Sequence, residues 1–398
     1  MKILHLVEFY HPSVGGAQEV VRHISERMVR AGHEVTVATS WLSNRNYTEY
    51  NGVKIVSFKI SGNSVRGYTG NIKEYQDFLR SSKFDIVMGY AAQQWTVDAF
   101  LEIADQVSGK KMIVPCGYSA LNDPAYVDYF NKLPTALQKL DATIYMADDY
   151  QDTNFGRKHN LKNMVLITNG ANENEFSEPL DNDRKLFLQT KYALGGLKII
   201  TVGLYGEKGH MELLRAFKRL PLANATLISV GSIRPHEGCY DEFTAQANRV
   251  NNSKKFIGKR VVMVDGSQKE EVHDLMKLSD IFAFFSNIEC SPLVLFEAAA
   301  AGLPFIATDV GNSREIAAWT EGGLIAKTHS IGNSRVRVDN KDAVLKLTRM
   351  AFSPSLRRKL GDKGRKNWIE KFTWKKLTND YLDLYQTLLE GKKPKEVL

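Results

Sequence analysis

The sequence predicts an α/β protein made of two Rossmann-like, doubly wound domains that face each other across a cleft. Its 398 residues exceed the usual size of one hydrophobic core, so we expect two domains. Short β-branched apolar runs alternate with longer helical patterns, which is typical of a parallel sheet covered on both faces. The alternation pauses near residue 170 and then restarts, which indicates that each half of the chain forms its own sheet.

Residues 1–170 are predicted to form the N-terminal domain. A helical pattern over about residues 17–30 separates the first apolar run from the second. The domain ends at the turn signal Thr168-Asn169-Gly170, beyond which the chain is acidic and contains proline as far as about residue 183. The predicted strands cover residues 3–7, 35–39, 53–58, 86–88, 112–114, 143–146 and 164–167.

Residues 171–371 are predicted to form the second domain, and residues 372–398 a terminal helix and tail. Leu377, Tyr381, Leu384 and Leu388 recur at intervals of three and four residues, which predicts an amphipathic helix over residues 374–389. Ligands of open α/β sheets bind beyond the carboxyl ends of the strands, so we expect the site in the cleft. The second domain has predicted strands at 198–202, 225–230, 260–264, 281–285 and 305–307, and predicted helices at 209–220, 270–278 and 292–301.

The composition is that of an ordinary globular protein, with 43% apolar and 25% charged residues. Three dispersed cysteines, Cys116, Cys239 and Cys290, are too few for a disulfide framework or a Cys-x-x-Cys metal site. The N-terminus is apolar for too few residues to be a secretory signal, and no run approaches the ~18 apolar residues of a membrane span. We therefore expect a cytoplasmic protein.

Most of the formal net charge of +8 lies beyond residue 170. Such a basic run is either a solvated helix face or a surface that contacts anionic lipid headgroups at the inner face of the membrane. The sequence has no zinc-finger spacing, no aromatic RNP motif and no interleaved basic and stacking residues, so a nucleic-acid partner is not expected. The C-terminal basic run contains Arg357, Arg358, Lys359, Lys363, Arg365, Lys366, Lys371, Lys375 and Lys376.

Two glutamates, Glu289 and Glu297, flank the predicted start of a helix at or just after Pro292. A helix N-terminus offers unpaired N–H groups and partial positive charge, which suit a diphosphate, while carboxylates suit sugar hydroxyls. The alternative is that Glu289 is a turn acid and Glu297 a solvated helix residue, although the apolar neighbours of Glu297 argue against the second. The backbone that would surround the diphosphate belongs to Ser291, Pro292, Leu293 and Val294.

The stretch from Glu289 through Gly302-Leu303-Pro304 resembles the E-x7-E signature of glycosyltransferase family 4, which has the GT-B fold. The resemblance implies transfer from a nucleoside-diphosphate sugar, with retention of anomeric configuration. It implies that Glu289 contacts hydroxyls of the donor sugar and that Glu297 binds the nucleotide ribose. It also implies an acceptor domain over residues 1–170, a donor domain over 171–371 and a terminal helix that crosses back to the first domain.

A second motif, from Val202 to His210, resembles the family's G-R-L-x-x-x-K-G loop, whose Arg and Lys neutralise the donor diphosphate as it leaves. Gly203 and Lys208 match, but Leu204 stands where the Arg belongs and the loop is one residue shorter. Because charge stabilisation of a leaving phosphate supplies much of catalysis, the loss of this cation should cost activity unless another cation replaces it. Arg234 is the sequence-based candidate, and a plain surface arginine is the alternative reading of that residue.

A third motif is the glycine pair Gly15 and Gly16 between the first strand and the first helix. Glycine pairs let backbone approach a ligand closely, and the family uses this loop beside the donor phosphates and the acceptor. Its spacing does not fit the dinucleotide-binding G-x-G-x-x-G pattern, which counts against a dehydrogenase.

Cys116 occupies the place of a histidine that lines the reacting sugar in many family members. A thiol cannot replace imidazole as a charged or aligned donor. Cys116 is therefore both a candidate catalytic position and, in the plainer interpretation, a small buried packing residue. The resemblance implies a reaction without an enzyme nucleophile, in which the leaving phosphate assists the acceptor.

The acceptor is expected to be a glycan, a lipid-linked molecule or another hydroxyl compound, bound near Tyr10, residues 90–95 and residues 118–122. No Asp-x-Asp motif is placed for a metal, and Asp148-Asp149 is read as a helix cap, so no cofactor or metal is expected. Two alternatives remain: a non-catalytic nucleotide-sugar-binding relative, and a nucleotide-sugar epimerase, which would need its own acid and base.

Overall fold

The computed structural model describes residues 1–203, 205–231, 236, 238–332 and 334–394, which form two compact units. The first unit comprises Met1–Asn169 together with Trp374–Leu398, and the second comprises Gly170–Thr373. The boundaries drawn from the sequence, 170/171 and 371/372, lie within two residues of these divisions.

The first unit contains ten strands and five α-helices before the terminal helix. Two of the strands, β5 and β6, form a separate antiparallel pair. The strands are β1 (Lys2–Leu6), β2 (Glu34–Ser40), β3 (Glu49–Tyr50), β4 (Val53–Phe58), β5 (Ser61–Asn63), β6 (Gly67–Thr69), β7 (Ile86–Tyr90), β8 (Lys110–Val114), β9 (Ala142–Tyr145) and β10 (Met164–Leu166). The helices are α1 (Gly16–Arg30), α2 (Ile72–Ser81), α3 (Trp95–Leu101), α4 (Val127–Gln138) and α5 (Gln151–Lys158).

The main sheet of the first unit has eight strands in the order β10-β9-β8-β7-β1-β2-β4-β3. Neighbouring strands are parallel, except that β3 runs antiparallel to β4. All five residues of β7 are buried, as expected for a central parallel strand covered on both faces. The chain leaves β1 in one direction toward β2 and later returns to its other side with β7. The strand order therefore reverses between β1 and β7, which is the switch point where ligands of such sheets bind.

The second unit contains eight strands and eight α-helices among its described residues. The strands are β11 (Leu197–Val202), β12 (Ala225–Gly231), β13 (Lys259–Asp265), β14 (Ile281–Phe284), β15 (Phe305–Thr308), β16 (Gly323–Ala326), β17 (Thr328–Gly332) and β18 (Arg335–Val338). The helices are α6 (Asn182–Lys191), α7 (His210–Arg219), α8 (Tyr240–Asn251), α9 (Lys269–Leu278), α10 (Leu293–Ala300), α11 (Ser313–Thr320), α12 (Asn340–Ala351) and α13 (Pro354–Lys371).

The main sheet of the second unit is parallel throughout, in the order β13-β12-β11-β14-β15-β16. Side chains alternate across it: Phe282 and Phe284 enter one apolar core, while Ile281, Ala283 and Phe285 enter the core on the opposite face. This alternation buries both faces and confirms a doubly wound sheet. Its switch point lies between β11 and β14.

The terminal helix α14 (Trp374–Leu389) packs against the first unit, and its predicted apolar stripe is confirmed as buried. The ring of Trp374 stacks on His23 of α1, with centroids 5.4 Å apart. Tyr385 donates its hydroxyl to Met88 Sδ at 3.2 Å and lies 3.3 Å from His5 Nε2. Burial lowers the pKa of His5 to about 3, so its ring is neutral.

The C-terminal basic run is divided between the two units, because α13 belongs to the second and α14 to the first. Several of its cations are engaged inside the protein. Arg357 donates to the carbonyls of Met350 and Ala351 at the end of α12, and Arg365 donates to the carbonyl of Phe176 at 2.9 Å. None of the described helices combines the length and apolar character needed to cross a membrane.

Candidate active site

The switch point of the second unit brings Lys208 and Glu289 together. β11 and β14 are parallel neighbours, so the segments that follow them leave the same edge of the sheet. We call these segments the lysine loop (residues 203–209) and the glutamate loop (residues 285–292). Lys208 Nζ lies 2.5 Å from Glu289 Oε1, and only 10% of the Glu289 side chain is exposed. The buried carboxylate is therefore neutralised by a cation from the adjacent loop.

Glycines permit the tight course of the lysine loop. Gly203 has a φ of 153° and Gly209 a φ of 74°, conformations that other residues rarely adopt. A Cβ on Gly209 would lie 1.9 Å from the carbonyl oxygen of Phe285, and one on Gly203 would lie 2.9 Å from Lys208 Cγ. The glycines thus let the loop pack directly on the glutamate loop and let the lysine fold back over its own backbone.

Hydrogen bonds tie the lysine loop to the glutamate loop. The carbonyl oxygen of Glu207 accepts from Asn287 N at 2.7 Å and from Ser286 Oγ at 3.2 Å. Thr308 Oγ1, at the end of β15, donates to the carbonyl of Ser286 at 2.6 Å. The segments that follow three neighbouring strands of the sheet, β11, β14 and β15, therefore support the backbone that carries the two charges.

A buried histidine fixes the start of the lysine loop. His210 Nε2 lies 3.1 Å from the Gly203 carbonyl and Nδ1 lies 2.7 Å from Ser229 Oγ. Burial lowers the pKa of His210 to about 4, so the ring is neutral. The carbonyl can only accept, which places the proton on Nε2 and leaves Nδ1 to accept from Ser229. His210 thereby orients the backbone from which Lys208 is presented.

The helix α10 begins at Leu293, directly after Pro292, as the sequence predicts. Ser291 and Pro292 are buried, and Leu293 and Val294 are partly exposed in its first turn. The first N–H groups of a helix have no partner within the helix, so this end can receive an anion. Glu297 lies on the second turn and Glu289 in the loop before it, which is the placement expected from their spacing. Their roles toward a donor stay predictions.

In the first unit, Gly15 and Gly16 lie at the start of α1, in the segment that follows β1. Gly15 is extended, with a φ of −178°, so its backbone does not require glycine. A Cβ on Gly16 would meet nothing within 4 Å, so the space beside it is open. The fold would therefore tolerate a side chain at position 16. This agrees with the prediction that glycine is used here because it lets the backbone come close to a ligand.

Two further segments of the first unit, residues 91–94 and 115–118, follow the adjacent strands β7 and β8. We call them the left-handed loops, because four of their residues other than glycine have positive φ: Ala91 (70°), Gln93 (66°), Cys116 (63°) and Tyr118 (47°). Each such residue costs of order 1–3 kcal/mol and persists only when its surroundings enforce it. Strain of this kind clusters at functional sites, so the loops mark a second candidate site.

A buried acid holds one left-handed loop in place. Asp152 Oδ2 accepts from Gly117 N at 2.9 Å, and Gln151 Nε2 donates to the carbonyl of Tyr118 at 3.1 Å. Burial raises the pKa of Asp152 to about 6, while its backbone hydrogen bonds act in the opposite direction. Cys116 is partly buried, so its interpretation as a fully buried packing residue holds only in part.

Other sequence-based expectations have mixed outcomes. Leu204 and Arg234 lie outside the described residues. Asp148 and Asp149 do not cap α5, because the residue before the helix is Tyr150; Asp149 instead accepts from Asn154 at 2.9 Å and Asp148 pairs with Arg157.

Three residues near Lys208 were not among the sequence-based candidates: Glu207, His210 and Arg335. His210 carried a usable signal, since it directly follows the Lys-Gly pair. Arg335 carried none, because it comes from a hairpin far along the chain whose partner, Glu207, is an ordinary loop acid.

Comparisons with known proteins identify the family and the fold. Residues 14–113 match the family described as Glycosyltransferase Family 4, and residues 195–367 match Glycosyl transferases group 1. A probable sucrose-phosphate synthase from Thermosipho melanesiensis is 23% identical, over 96% of this chain and 92% of its own.

Two solved structures show the same fold. Sucrose-phosphate synthase from Thermosynechococcus elongatus has a TM-score of 0.78 at 17% identity and covers 98% of this chain and 100% of its own. Anabaena HepE, solved in complex with UDP-glucose, has a TM-score of 0.73 at 14% identity, with the same coverage. These neighbours confirm the GT-B fold. The chain belongs to the family 4 type of glycosyltransferases, with its first unit carrying the family 4 region and its second the group 1 region.

Proposed function

We propose that this enzyme transfers a glycosyl group from a nucleoside-diphosphate sugar to a glycan, lipid-linked or other hydroxyl acceptor, with retention of configuration. The observation that carries the proposal is the 2.5 Å contact between Lys208 Nζ and Glu289 Oε1 at the switch point of the second unit, beside the start of α10. A cation, a helix N-terminus and a carboxylate at one sheet edge suit a ligand that joins phosphate to sugar.

Each group has a separate task in this proposal. The start of α10 and Lys208 hold the diphosphate, and Lys208 stabilises the negative charge that grows on the leaving phosphate. Glu289 accepts hydrogen bonds from hydroxyls of the donor sugar, and Glu297 accepts from the ribose. A phosphate oxygen of the leaving group takes the proton of the acceptor hydroxyl, so no side chain acts as nucleophile.

We assign acceptor binding to the first unit. Open space beside Gly16 and the strain in the left-handed loops support this assignment. Cys116 lies in one of these loops, where it lines the reacting sugar without attacking it.

Contact with an anionic membrane through the C-terminal basic run also stays a proposal. The internal hydrogen bonds of Arg357 and Arg365 reduce the number of cations that such a contact could use. A lipid-linked acceptor would be the reason for such a contact.

A donor screen tests the proposal. Uridine, guanosine and adenosine diphosphate sugars are incubated with the enzyme, and release of free sugar and shifts in the thermal midpoint are measured. We expect slow hydrolysis and a shift with one nucleotide, both unaffected by EDTA because Lys208 and α10 neutralise the diphosphate without a metal. Binding without turnover would favour the non-catalytic relative, and conversion of the donor to its epimer would favour an epimerase. If no donor were bound and none were turned over, the transferase, the non-catalytic relative and the epimerase would all be refuted.

A further inference from the structure

A short hairpin lies against the glutamate loop of the second unit. It consists of β17 and β18, which follow β16 in the chain. Val336 N, in β18, donates to the carbonyl of Asn287 at 2.8 Å, and Asn287 Nδ2 donates to the carbonyl of Val336 at 2.7 Å. Asn287 is two residues before Glu289, so the backbone of β18 is fixed beside the proposed donor site.

Arg335, the first residue of β18, forms an ion pair with Glu207 of the lysine loop. Glu207 immediately precedes Lys208, which in turn pairs with Glu289. Four charges therefore alternate in sign from β18 through the lysine loop to the glutamate loop, in the order Arg335, Glu207, Lys208, Glu289, and their formal sum is zero.

A donor diphosphate carries negative charge on each of its two phosphates, whereas Lys208 supplies only one positive charge. The family resemblance predicts an arginine at the position of Leu204, which carries no charge. An arginine binds phosphate through two parallel N–H groups and remains charged at any relevant pH. A second cation beside the lysine loop would add to the stabilisation from Lys208 and the start of α10, and Arg335 is joined to that loop by a charge contact.

We propose that Arg335 supplies the second cation of the donor diphosphate site, moving its guanidinium from Glu207 to a phosphate oxygen when the donor binds. The inference rests on the proposed function.

Moving the Arg335 guanidinium from Glu207 to a phosphate oxygen costs little free energy. The side chains of Arg335 and Glu207 are each about half exposed, and exposed ion pairs contribute little to stability. Glu207 stays in place without the pair, because its carbonyl is held by Asn287 and Ser286. The backbone of Arg335 is held by the bonds of the adjacent Val336, so only a side chain has to move.

Arg337 provides a matched control on the same strand. Because side chains alternate along a strand, Arg335 and Arg337 project from the same face of β18. Arg337 Nε lies 3.8 Å from Glu212 Oε1 on α7, a carboxylate that is 9% exposed and also pairs with Arg215. Arg337 thus has the same chemistry and strand but contacts a helix instead of the lysine loop.

A purely structural role for Arg335 makes a different prediction. If Arg335 only clamps the lysine loop through Glu207, then removing either partner has the same effect. If Arg335 binds phosphate, then Glu207 competes with the donor for it, and removing the Glu207 charge strengthens donor binding. Glu207→Gln therefore shifts affinity in opposite directions under the two roles.

Titration calorimetry with the nucleoside diphosphate that wild type prefers tests the inference. We expect Arg335→Ala to weaken binding by about tenfold, the loss of one charged hydrogen-bond contact. Arg335→Lys should retain most of the affinity, Arg337→Ala should stay within about twofold of wild type, and Glu207→Gln should tighten binding. The corresponding nucleoside, which lacks phosphates, should not distinguish Arg335→Ala from wild type.

Two results would overturn the inference while leaving the proposed function standing: equal affinities for Arg335→Ala and Arg337→Ala, or weaker binding by Glu207→Gln that matches Arg335→Ala. Failure of wild type to bind any nucleoside diphosphate would instead refute the proposed function, and the inference with it. Thermal midpoints of all variants, which alter half-exposed side chains, separate loss of binding from loss of folding.

Discussion

The two switch points achieve sharp turns after their strands by different means. In the second unit, the lysine loop uses glycines, and its Lys208 is neutralised by Glu289 of the glutamate loop. In the first unit, the left-handed loops place alanine, glutamine, cysteine and tyrosine in conformations that glycine would adopt freely, and a buried acid supports one of them. The comparison shows that the second unit encodes its site locally, whereas the first unit enforces its site through the surrounding structure.

The glutamate pair offers the largest expected effect. Glu289→Gln removes the negative charge and converts one of the two acceptor oxygens into an NH2 donor, which leaves Lys208 without its anion, so turnover should fall by roughly 100-fold to 1000-fold. Nucleotide affinity should stay near the wild-type value, whereas Glu297→Gln should weaken it. Donor hydrolysis and calorimetry measure the two quantities, with the exposed Glu370→Gln on α13 as control. The opposite pattern for the two glutamates would refute their assigned roles.

A pair of glycine variants tests the comparison directly. Gly209→Ala places a Cβ against the Phe285 carbonyl and should destabilise the second unit by about 2–3 kcal/mol. Gly16→Ala meets open space and should change stability by less than about 0.5 kcal/mol while lowering transfer to the acceptor. Thermal unfolding and transfer assays measure both effects. Equal destabilisation by the two variants would show that both units depend on glycine in the same way.

The buried acid of the first unit predicts a pH dependence. The pKa of Asp152 is raised from 3.8 to about 6, so the folded state holds this proton more tightly than the unfolded chain does. The stabilisation is complete below the unfolded pKa and is lost as pH rises through the folded pKa of about 6. Relative to Asp152→Asn, wild type should therefore lose about 2 kcal/mol of stability between pH 4 and pH 7.

Denaturant unfolding of wild type and Asp152→Asn across this pH range measures the difference. Asp149→Asn, which alters an exposed carboxyl three residues earlier, serves as the control variant. A constant difference between wild type and Asp152→Asn would mean that Asp152 titrates alike in both states.

The smallest effects are expected at Cys116. Cys116→Ser should keep turnover within about twofold, because the proposed reaction has no thiol nucleophile. Cys116→Gly should raise the free energy of unfolding by about 1 kcal/mol, since glycine adopts a φ of 63° without a steric penalty. Transfer assays and thermal unfolding test both variants, and loss of all turnover in Cys116→Ser would contradict the mechanism.

The sequence predicted the features whose physical cause is local. Buried strands such as β14 and the amphipathic stripe of α14 follow from hydrophobic period, and the start of α10 follows from Pro292. Lys208 and Glu289 were assigned to one donor site by the family resemblance, and the parallel strands β11 and β14 bring them together at one edge of the sheet.

Features set by distant contacts could not be predicted in the same way. The positive φ of Cys116 and Tyr118 depends on Gln151 and Asp152, which come from another segment. The pairing of Arg335 with Glu207 depends on a short, mostly exposed hairpin, and nothing in its sequence indicates that it lies against the lysine loop. Neither has a local signature, because the residues involved are separated widely along the chain.

The return of α14 to the first unit makes the second unit an insertion within it. In the folded protein, α14 covers His23, Met88 and His5. During synthesis these surfaces of residues 1–169 stay exposed until α14 has been made. The second unit, in contrast, is contiguous from residue 170 to residue 373. During translation the second unit can therefore complete its core before the first, and removing the terminal helix would damage the half of the protein that was made earliest.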